Sequence, residues 1–169
     1  MIIKVSGLPD DGLTIANAAE LVAPFADRAW RLERVRLHVS RDGQDVVVAG
    51  ELAASVPLTC SRCLEEFPAT VHQAVDVRYV PRPVAPSDIE LAPDDLDLDF
   101  YENDELNLAA LVETETTLAL PMKPLCRDDC RGLCPVCGSN RNLTPCACQT
   151  RPPDPRLAVL GDLAGRLHH

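Results

Sequence analysis

The feature that most constrains this chain is the placement of its eight cysteines. Six lie in LCRDDCRGLCPVCGSNRNLTPCACQT, residues 125–150, and two lie far upstream in LTCSRCLEEF, residues 58–67. Two cysteines separated by two residues can bend round one metal ion, and a structural zinc site takes four thiolates at about 2.3 Å. The spacings therefore predict two structural zinc sites. The predicted ligands are Cys60, Cys63, Cys126, Cys130, Cys134, Cys137, Cys146 and Cys148.

Two divisions of these cysteines between the sites are open. In the favoured division, CPVCG and CAC close on each other across the excursion GSNRNLTP, while CSRC joins CRDDC. In the rival division, CRDDC and CPVC share one metal, and CAC joins CSRC. The entropy of loop closure favours the local pairing, although only logarithmically. Gly138 also favours a metal-binding turn, because a positive φ there would turn backbone N–H groups toward the sulfurs.

The same residues weigh against redox and catalytic roles. A thioredoxin-type pair opens a helix in a βαβ setting, whereas CSRC follows a strand-like apolar run. The internal histidines, His38 and His72, have no fixed relation to the cysteines, and no nucleophile–His–acid set or phosphate loop is visible. We therefore expect no enzymatic activity, no catalytic residue and no small-molecule substrate. A thiol-redox or zinc-release switch is kept as an alternative.

Hydrophobic alternation predicts a run of antiparallel strands. Val35, Leu37 and Val39 alternate with polar residues along RLERVRLHVS, and ATVHQAVDVRYV, residues 69–80, alternates in the same way. Residues 14–26 are predicted to form a short helix ended by Pro24. A second helix is predicted to begin after Asn107, with Leu106 and Leu111 as a hydrophobic staple.

These elements predict an α+β fold: an antiparallel β-sheet or small open barrel with few helices and a C-terminal cysteine-rich zinc module. We divide the chain into an antiparallel β domain with one short helix (1–80), a proline-rich acidic linker or arm (81–105), and a last part (106–169). That last part holds a helix, the zinc module and a terminal helix that would begin at Asp154.

Charge is concentrated in one stretch of the chain. The formal net charge is -10, yet residues 87–105 hold nine acids and no base. An acidic arm of this kind suits a basic protein partner, and a solvated linker is the plain alternative. The arm residues that we assign to partner binding are Asp94, Asp95, Asp97, Asp99, Glu102, Asp104 and Glu105.

Local basic patches are the candidates for contact with RNA or a partner. A sequence pI near 4.7 argues against wrapping nucleic acid as a whole, but it allows such patches. One set lies on the predicted strand face and the other among the late cysteines, where it would also balance thiolate charge. These residues are Arg34, Arg36, His38, Arg127, Arg131 and Arg141.

The chain opens without the charged and apolar regions of a signal peptide, and it holds no apolar run of about eighteen residues. We therefore expect a soluble, cytoplasmic protein with no membrane contact. Thiols stay reduced in that compartment, which favours metal binding over disulfides. The final His168 and His169 are interpreted as the remnant of an expression tag and given no function.

Several motifs together resemble the YceD family, the large ribosomal RNA subunit accumulation proteins of bacteria and plastids. The matching stretches are LTCSRCLEEF, LALPMKPLC and CRGLCPVCGSNRNLTPCAC, with SGLPDDGL and DPRLAVL. The resemblance implies a non-enzymatic ribosome-biogenesis factor that supports 23S rRNA processing or accumulation and large-subunit assembly. It also implies a ribosomal protein or a pre-ribosomal large-subunit component as partner. A zinc module that binds rRNA directly is the alternative.

Overall fold

The structure is a computed structural model that describes residues 1–21, 24–82 and 98–149. Contacts divide the chain into two compact units. The sheet unit comprises Met1–Leu58 and Glu66–Pro124, and the cysteine unit comprises Thr59–Glu65 and the chain from Leu125 onward. The three-part division made from sequence ranges stays a prediction. In the described ranges, no helix has the length and apolar character needed to cross a membrane.

In the residues that the structure describes, the sheet unit consists of two open sheets and one α-helix, which confirms the predicted fold class. The larger sheet has the strand order β2-β3-β4-β5-β6, and β1 pairs with β7 in the smaller one. The elements are β1 (Ile2–Lys4), β2 (Leu13–Ile15), β3 (Arg31–Asp42), β4 (Asp45–Thr59), β5 (Glu66–Pro81), β6 (Leu98–Tyr101), β7 (Glu105–Asn107) and α1 (Leu108–Leu118).

The core follows from the alternation along β3. Val35, Leu37 and Val39 are buried, whereas the side chains between them are exposed, because successive residues of a strand point to opposite faces. β3 pairs antiparallel with β4 through the turn at residues 42–45. At Gly50 of β4, an added Cβ would lie 2.0 Å from the Arg36 carbonyl oxygen, so this close approach requires glycine.

The predicted helix after Asn107 is confirmed as α1. The Asn107 side chain accepts hydrogen bonds from the backbone N–H groups of Ala109 and Ala110, at 3.1 and 3.2 Å. This contact satisfies two of the donors that a helix start leaves unpaired. Leu106 and Leu111, the predicted staple, are both buried in the same apolar core.

The predicted helix at residues 14–26 is wrong. Leu13–Ile15 instead forms β2, in which Thr14 pairs with His38 and Ile15 is fully buried. Asn17 accepts from the Ala19 N–H at 3.0 Å, but it caps only a 3-10 turn, Ala18–Glu20. A helix this short is marginal by itself, whereas pairing with β3 leaves Ile15 fully buried.

The end of the predicted linker at 81–105 contains strands. Residues 98–101 form β6, which pairs with β5 in parallel rather than antiparallel. Parallel neighbours need a connection of a dozen or more residues, and residues 82–97 supply one. Most of that connection, with Asp94, Asp95 and Asp97, lies outside the described residues, as does the predicted terminal helix.

Candidate metal centres

The cysteine unit brings its thiols together in two groups of four. The first site contains Cys60, Cys63, Cys126 and Cys130. The second site contains Cys134, Cys137, Cys146 and Cys148. Within each site, the sulfur atoms all lie within 4.8 Å of one another. This is the division that sequence reasoning favoured, and either group could hold a metal ion.

Sulfur–sulfur distances in the first site fit a tetrahedral ion. A tetrahedron with metal–sulfur bonds of about 2.3 Å has edges of about 3.8 Å. The Sγ atoms of Cys60 and Cys130 are 3.8 Å apart, and those of Cys63 and Cys126 are 3.7 Å apart. A disulfide would need about 2.05 Å, and all eight cysteines are free. The four sulfurs therefore stand at the spacing of metal ligands.

Each site begins with a tight turn of the same design. In the first knuckle, residues 60–65, the Cys60 N–H donates to the Glu65 oxygen and the Leu64 N–H donates to the Cys60 oxygen, both at 2.9 Å. In the second knuckle, residues 134–139, the Cys134 N–H donates to the Ser139 oxygen. The Gly138 N–H donates to the Cys134 oxygen, and both distances are again 2.9 Å. Two sequences that share only the cysteine spacing thus form one backbone motif.

The fifth residue of each knuckle has a positive φ, 73° at Gly138 and 61° at Leu64. Sequence reasoning found the first of these, because glycine takes left-handed conformations without strain. It missed Leu64, where a branched side chain occupies a conformation that costs L-residues about 1–2 kcal/mol. The Leu64 side chain is exposed, so burial does not offset that strain.

Thiol acidity in the first site is set by burial and by N–H donors acting against each other. Burial alone would raise the pKa of Cys60, but backbone hydrogen bonds led by that of Cys126 outweigh it and lower this pKa to about 6. Burial and the adjacent Cys63 thiol raise the pKa of Cys126 to about 12. The Cys60 thiol therefore ionises readily, whereas the Cys126 thiol resists ionisation. A bound cation would be needed to hold all four cysteines of the site as thiolates.

The second site shows the same contrast with less burial. The Ser139 hydroxyl lies 3.1 Å from the Cys137 sulfur and, with the Ser139 N–H, lowers the pKa of Cys137 to about 6. The nearby Cys137 raises the pKa of Cys148 to about 12. Both Cys137 and Cys148 are exposed, whereas Cys60 and Cys130 are buried.

Two polar side chains that sequence reasoning missed hold the first site. Arg62 Nη1 donates to the carbonyl oxygens of Asp128 and Cys130, both at 3.0 Å. Asn142 Nδ2 donates to the Cys130 sulfur at 3.3 Å and, although burial opposes it, helps to lower the pKa of Cys130. Hydrogen bonds of this kind orient ligands and stabilise their negative charge. No spacing rule marks such residues in a sequence.

Burial in the cysteine unit is almost confined to sulfur. In residues 59–65 and 125–149, the buried side chains are those of Cys60, Cys63, Cys130 and Cys134. All members of the buried apolar cluster found in the described chain belong to the sheet unit. The cysteine unit thus lacks an apolar core among its described residues, so its thiols are what could hold it together.

The predicted basic contacts fall into two sets. Arg34, Arg36 and His38 are exposed on β3, and Thr14 Oγ1 lies 3.2 Å from Nδ1 of His38. Among the late cysteines, Arg127, Arg131 and Arg141 are also exposed. Arg127 donates to the Asn142 side-chain oxygen at 2.8 Å. Contact of either set with RNA or a partner stays a prediction.

The described part of the acidic arm is partly engaged within the protein. Asp104 accepts hydrogen bonds from the backbone N–H and hydroxyl of Ser6, which lower its pKa. Glu102 pairs with Arg82 at 2.6 Å. Asp99 and Glu105 are exposed on β6 and β7. Partner binding by this arm stays a prediction.

Fold and site together define a small β-sheet protein with a module built on two four-cysteine groups. A family model described as "Large ribosomal RNA subunit accumulation protein YceD" matches residues 48–164. The chain belongs to the YceD family, as its motifs predicted. The match spans both knuckles and all eight cysteines.

Mycobacterial proteins are the curated relatives that match. Uncharacterized proteins of Mycobacterium bovis and Mycobacterium tuberculosis are 30% identical over 137 residues, which is 76% of this chain and 60% of theirs. An uncharacterized protein of Mycobacterium leprae is 30% identical over 110 residues, 64% of this chain and 49% of its own. The chain thus spans about 60% of the length of the first relatives. No solved structure matches significantly.

Proposed function

We propose that this protein is a non-enzymatic ribosome-biogenesis factor whose cysteine unit is folded around two structural zinc ions. One observation carries the zinc assignment: the eight thiols form two groups of four whose sulfur atoms lie within 4.8 Å of one another, with the tetrahedral distances of 3.7 and 3.8 Å in the first. Four cysteine ligands with no open position are typical of structural zinc. A metal assay of the purified protein should find about two zinc ions per chain, and finding none contradicts the assignment.

The ribosomal role rests on family membership. The family description names accumulation of large-subunit ribosomal RNA, and we extend this to 23S rRNA processing and large-subunit assembly. Cells that lack the gene should accumulate less 23S rRNA and fewer large subunits, measured by RNA blotting and sucrose-gradient profiles. The wild-type gene should restore both, and a Cys60→Ser variant should not. Unchanged profiles in the deleted strain would contradict the role.

The partner that we propose is a basic ribosomal protein or another pre-ribosomal large-subunit component. Support comes from the nine acids of residues 87–105, including the exposed Asp99 and Glu105. Deleting 87–97 removes acids without touching β6. The purified protein should capture large-subunit components from lysate. Capture that survives nuclease treatment and weakens when residues 87–97 are deleted supports a protein partner. If the full chain and the deletion variant capture the same components equally, the arm is a solvated linker.

Direct RNA binding is the second candidate. It is favoured by the exposed Arg34, Arg36 and His38, which alternate with buried residues and so share one face of β3. Binding through phosphates should weaken steeply with salt. Neutralising Arg34 and Arg36 together should reduce both affinity and salt dependence, whereas a change at Arg28, outside the strand, should not.

A further inference from the structure

We infer that Asn142 is a hydrogen-bonding link between the two metal sites, so that metal in the second site tightens metal binding at the first. The inference rests on the proposed metal binding. Asn142 lies in the excursion that joins Cys137 to Cys146, two ligands of the second site, yet its side chain contacts Cys130, a ligand of the first. The Asn142 amide thus lies in the loop of the second site but forms its hydrogen bond to a ligand of the first.

The orientation of this amide is determined by its neighbours. The Asn142 oxygen accepts from Arg127 Nη2 and from the Arg131 backbone N–H, both at 2.8 Å. Both groups are donors only, so the oxygen must face them. The NH₂ group is thereby directed to the Cys130 sulfur at 3.3 Å and to the Asn140 side-chain oxygen at 2.9 Å.

Burial strengthens the contact. Cys130 is only 4% exposed, and Asn142 and Asn140 are half-buried, so water competes weakly for the sulfur. A four-thiolate zinc centre carries a formal charge of about -2. An N–H donor held against one thiolate therefore stabilises the loaded site more than the protonated one.

The position of Asn142 depends on how its loop is closed. The N–H groups of Leu143 and Thr144 donate to the Asn140 carbonyl oxygen at 3.1 and 3.0 Å, and Arg141 N–H donates to the Gly132 oxygen at 2.9 Å. Cys137 and Cys146 bound to one ion would fix both ends of this loop. By linkage, any gain in affinity at the first site is returned equally to the second.

A double-mutant cycle tests the link. Four proteins are compared: wild type, Asn142→Ala, a Cys146→Ser/Cys148→Ser variant with its second site disabled, and the combination. First-site affinity is measured by chelator competition followed through the amide NMR signals of residues 60–65, which lie in the first site alone. Removing an outer hydrogen bond of this kind lowers metal affinity about 10- to 100-fold. We expect that loss for Asn142→Ala, a clear loss for the cysteine variant, and little further loss when they are combined.

Two further variants keep the result interpretable. Asn142→Asp retains an oxygen for Arg127 and Arg131 but replaces the donor that faces Cys130, so first-site affinity should fall at least as much. Leu143→Ala alters an adjacent side chain that is 76% exposed and should bind metal as wild type does. Independent effects that multiply in the combined variant, or unchanged affinity in Asn142→Ala, overturn the link while leaving the zinc sites intact. A wild-type protein without metal overturns the proposed function itself.

Discussion

The sheet unit and the cysteine unit are stabilised by different physical means. In the sheet unit, side chains such as Leu37, Val48 and Leu108 are fully buried in an apolar cluster. In the described cysteine unit, the buried side chains are thiols, and the surrounding contacts are hydrogen bonds to backbone and amide groups. Hydrophobic burial should therefore maintain the first unit without a ligand, whereas the second should need its metal.

Removing metal should give the largest effect. A strong chelator under reducing conditions should unfold the cysteine unit, because structural zinc supplies an apparent free energy on the order of 10 kcal/mol in small zinc domains. Amide hydrogen exchange should then be fast in 125–149 and remain slow in β3 and β4. Equal loss of protection in both units would contradict the separation that we draw.

Disabling one site should have the next largest effect. Cys60→Ser should leave about one zinc per chain, because it removes a ligand of the first site only. Its matched control, Cys148→Ser, empties the second site. Three cysteines of the first site are buried but only one of the second is, so loss of the first ion should leave more desolvated thiols unpaired and lower the unfolding midpoint more. Metal analysis with thermal unfolding measures both, and a larger loss for Cys148→Ser would reverse this ranking.

A change in the apolar core should act on the sheet unit alone. Leu37→Ala should lower the free energy of unfolding of the sheet unit by about 2–5 kcal/mol, as expected for a fully buried leucine. Zinc content at room temperature should stay at the wild-type value. Arg36→Ala, the exposed neighbour on β3, should change stability by less than about 0.5 kcal/mol. Loss of zinc from Leu37→Ala under folded conditions would contradict this prediction.

The smallest effect is expected at the fifth residue of the knuckles. Leu64→Gly should stabilise the first knuckle by up to about 1 kcal/mol, because glycine relieves the left-handed strain but gains entropy in the unfolded chain. The mirror change, Gly138→Leu, should destabilise the second knuckle by about 1 kcal/mol or more. Chelator-challenge unfolding midpoints measure both. A shift of the same sign in the two variants would exclude strain as the cause.

Patterns that repeat along the chain predicted much of the fold. The alternation through Val35, Leu37 and Val39 predicted which face of β3 is buried, and Asn107 predicted where α1 begins. The cysteine division was also predicted, since short loops close at lower entropic cost. For β3, α1 and the second site, the decisive interaction lies within a few residues of the signal or depends on a fixed period. The first site followed only because local closure of the second left four cysteines over.

Interactions between distant residues account for what the sequence analysis missed. The pairing of β2 with β3 replaced the expected helix at 14–26, and β6 added to β5 in parallel across residues 82–97. Leu64 adopts a positive φ, which leucine disfavours, because backbone hydrogen bonds of Cys60 with Glu65 and Leu64 close its knuckle. Asn142 and Arg62 are ordinary polar residues whose role depends on which carbonyls and sulfurs reach them.

The location of the first knuckle between β4 and β5 has a consequence for synthesis of the chain. Cys60 and Cys63 leave the ribosome well before Cys126 and Cys130, which are their partners in the first site. At about 5–20 residues per second, roughly 65 residues of delay correspond to about 3–13 s. During this interval the first site has only two of its four cysteines, while strands β3 and β4, which precede them in the chain, can already pair. If the first site binds metal as proposed, its capture of the ion would follow translation of the C-terminal module.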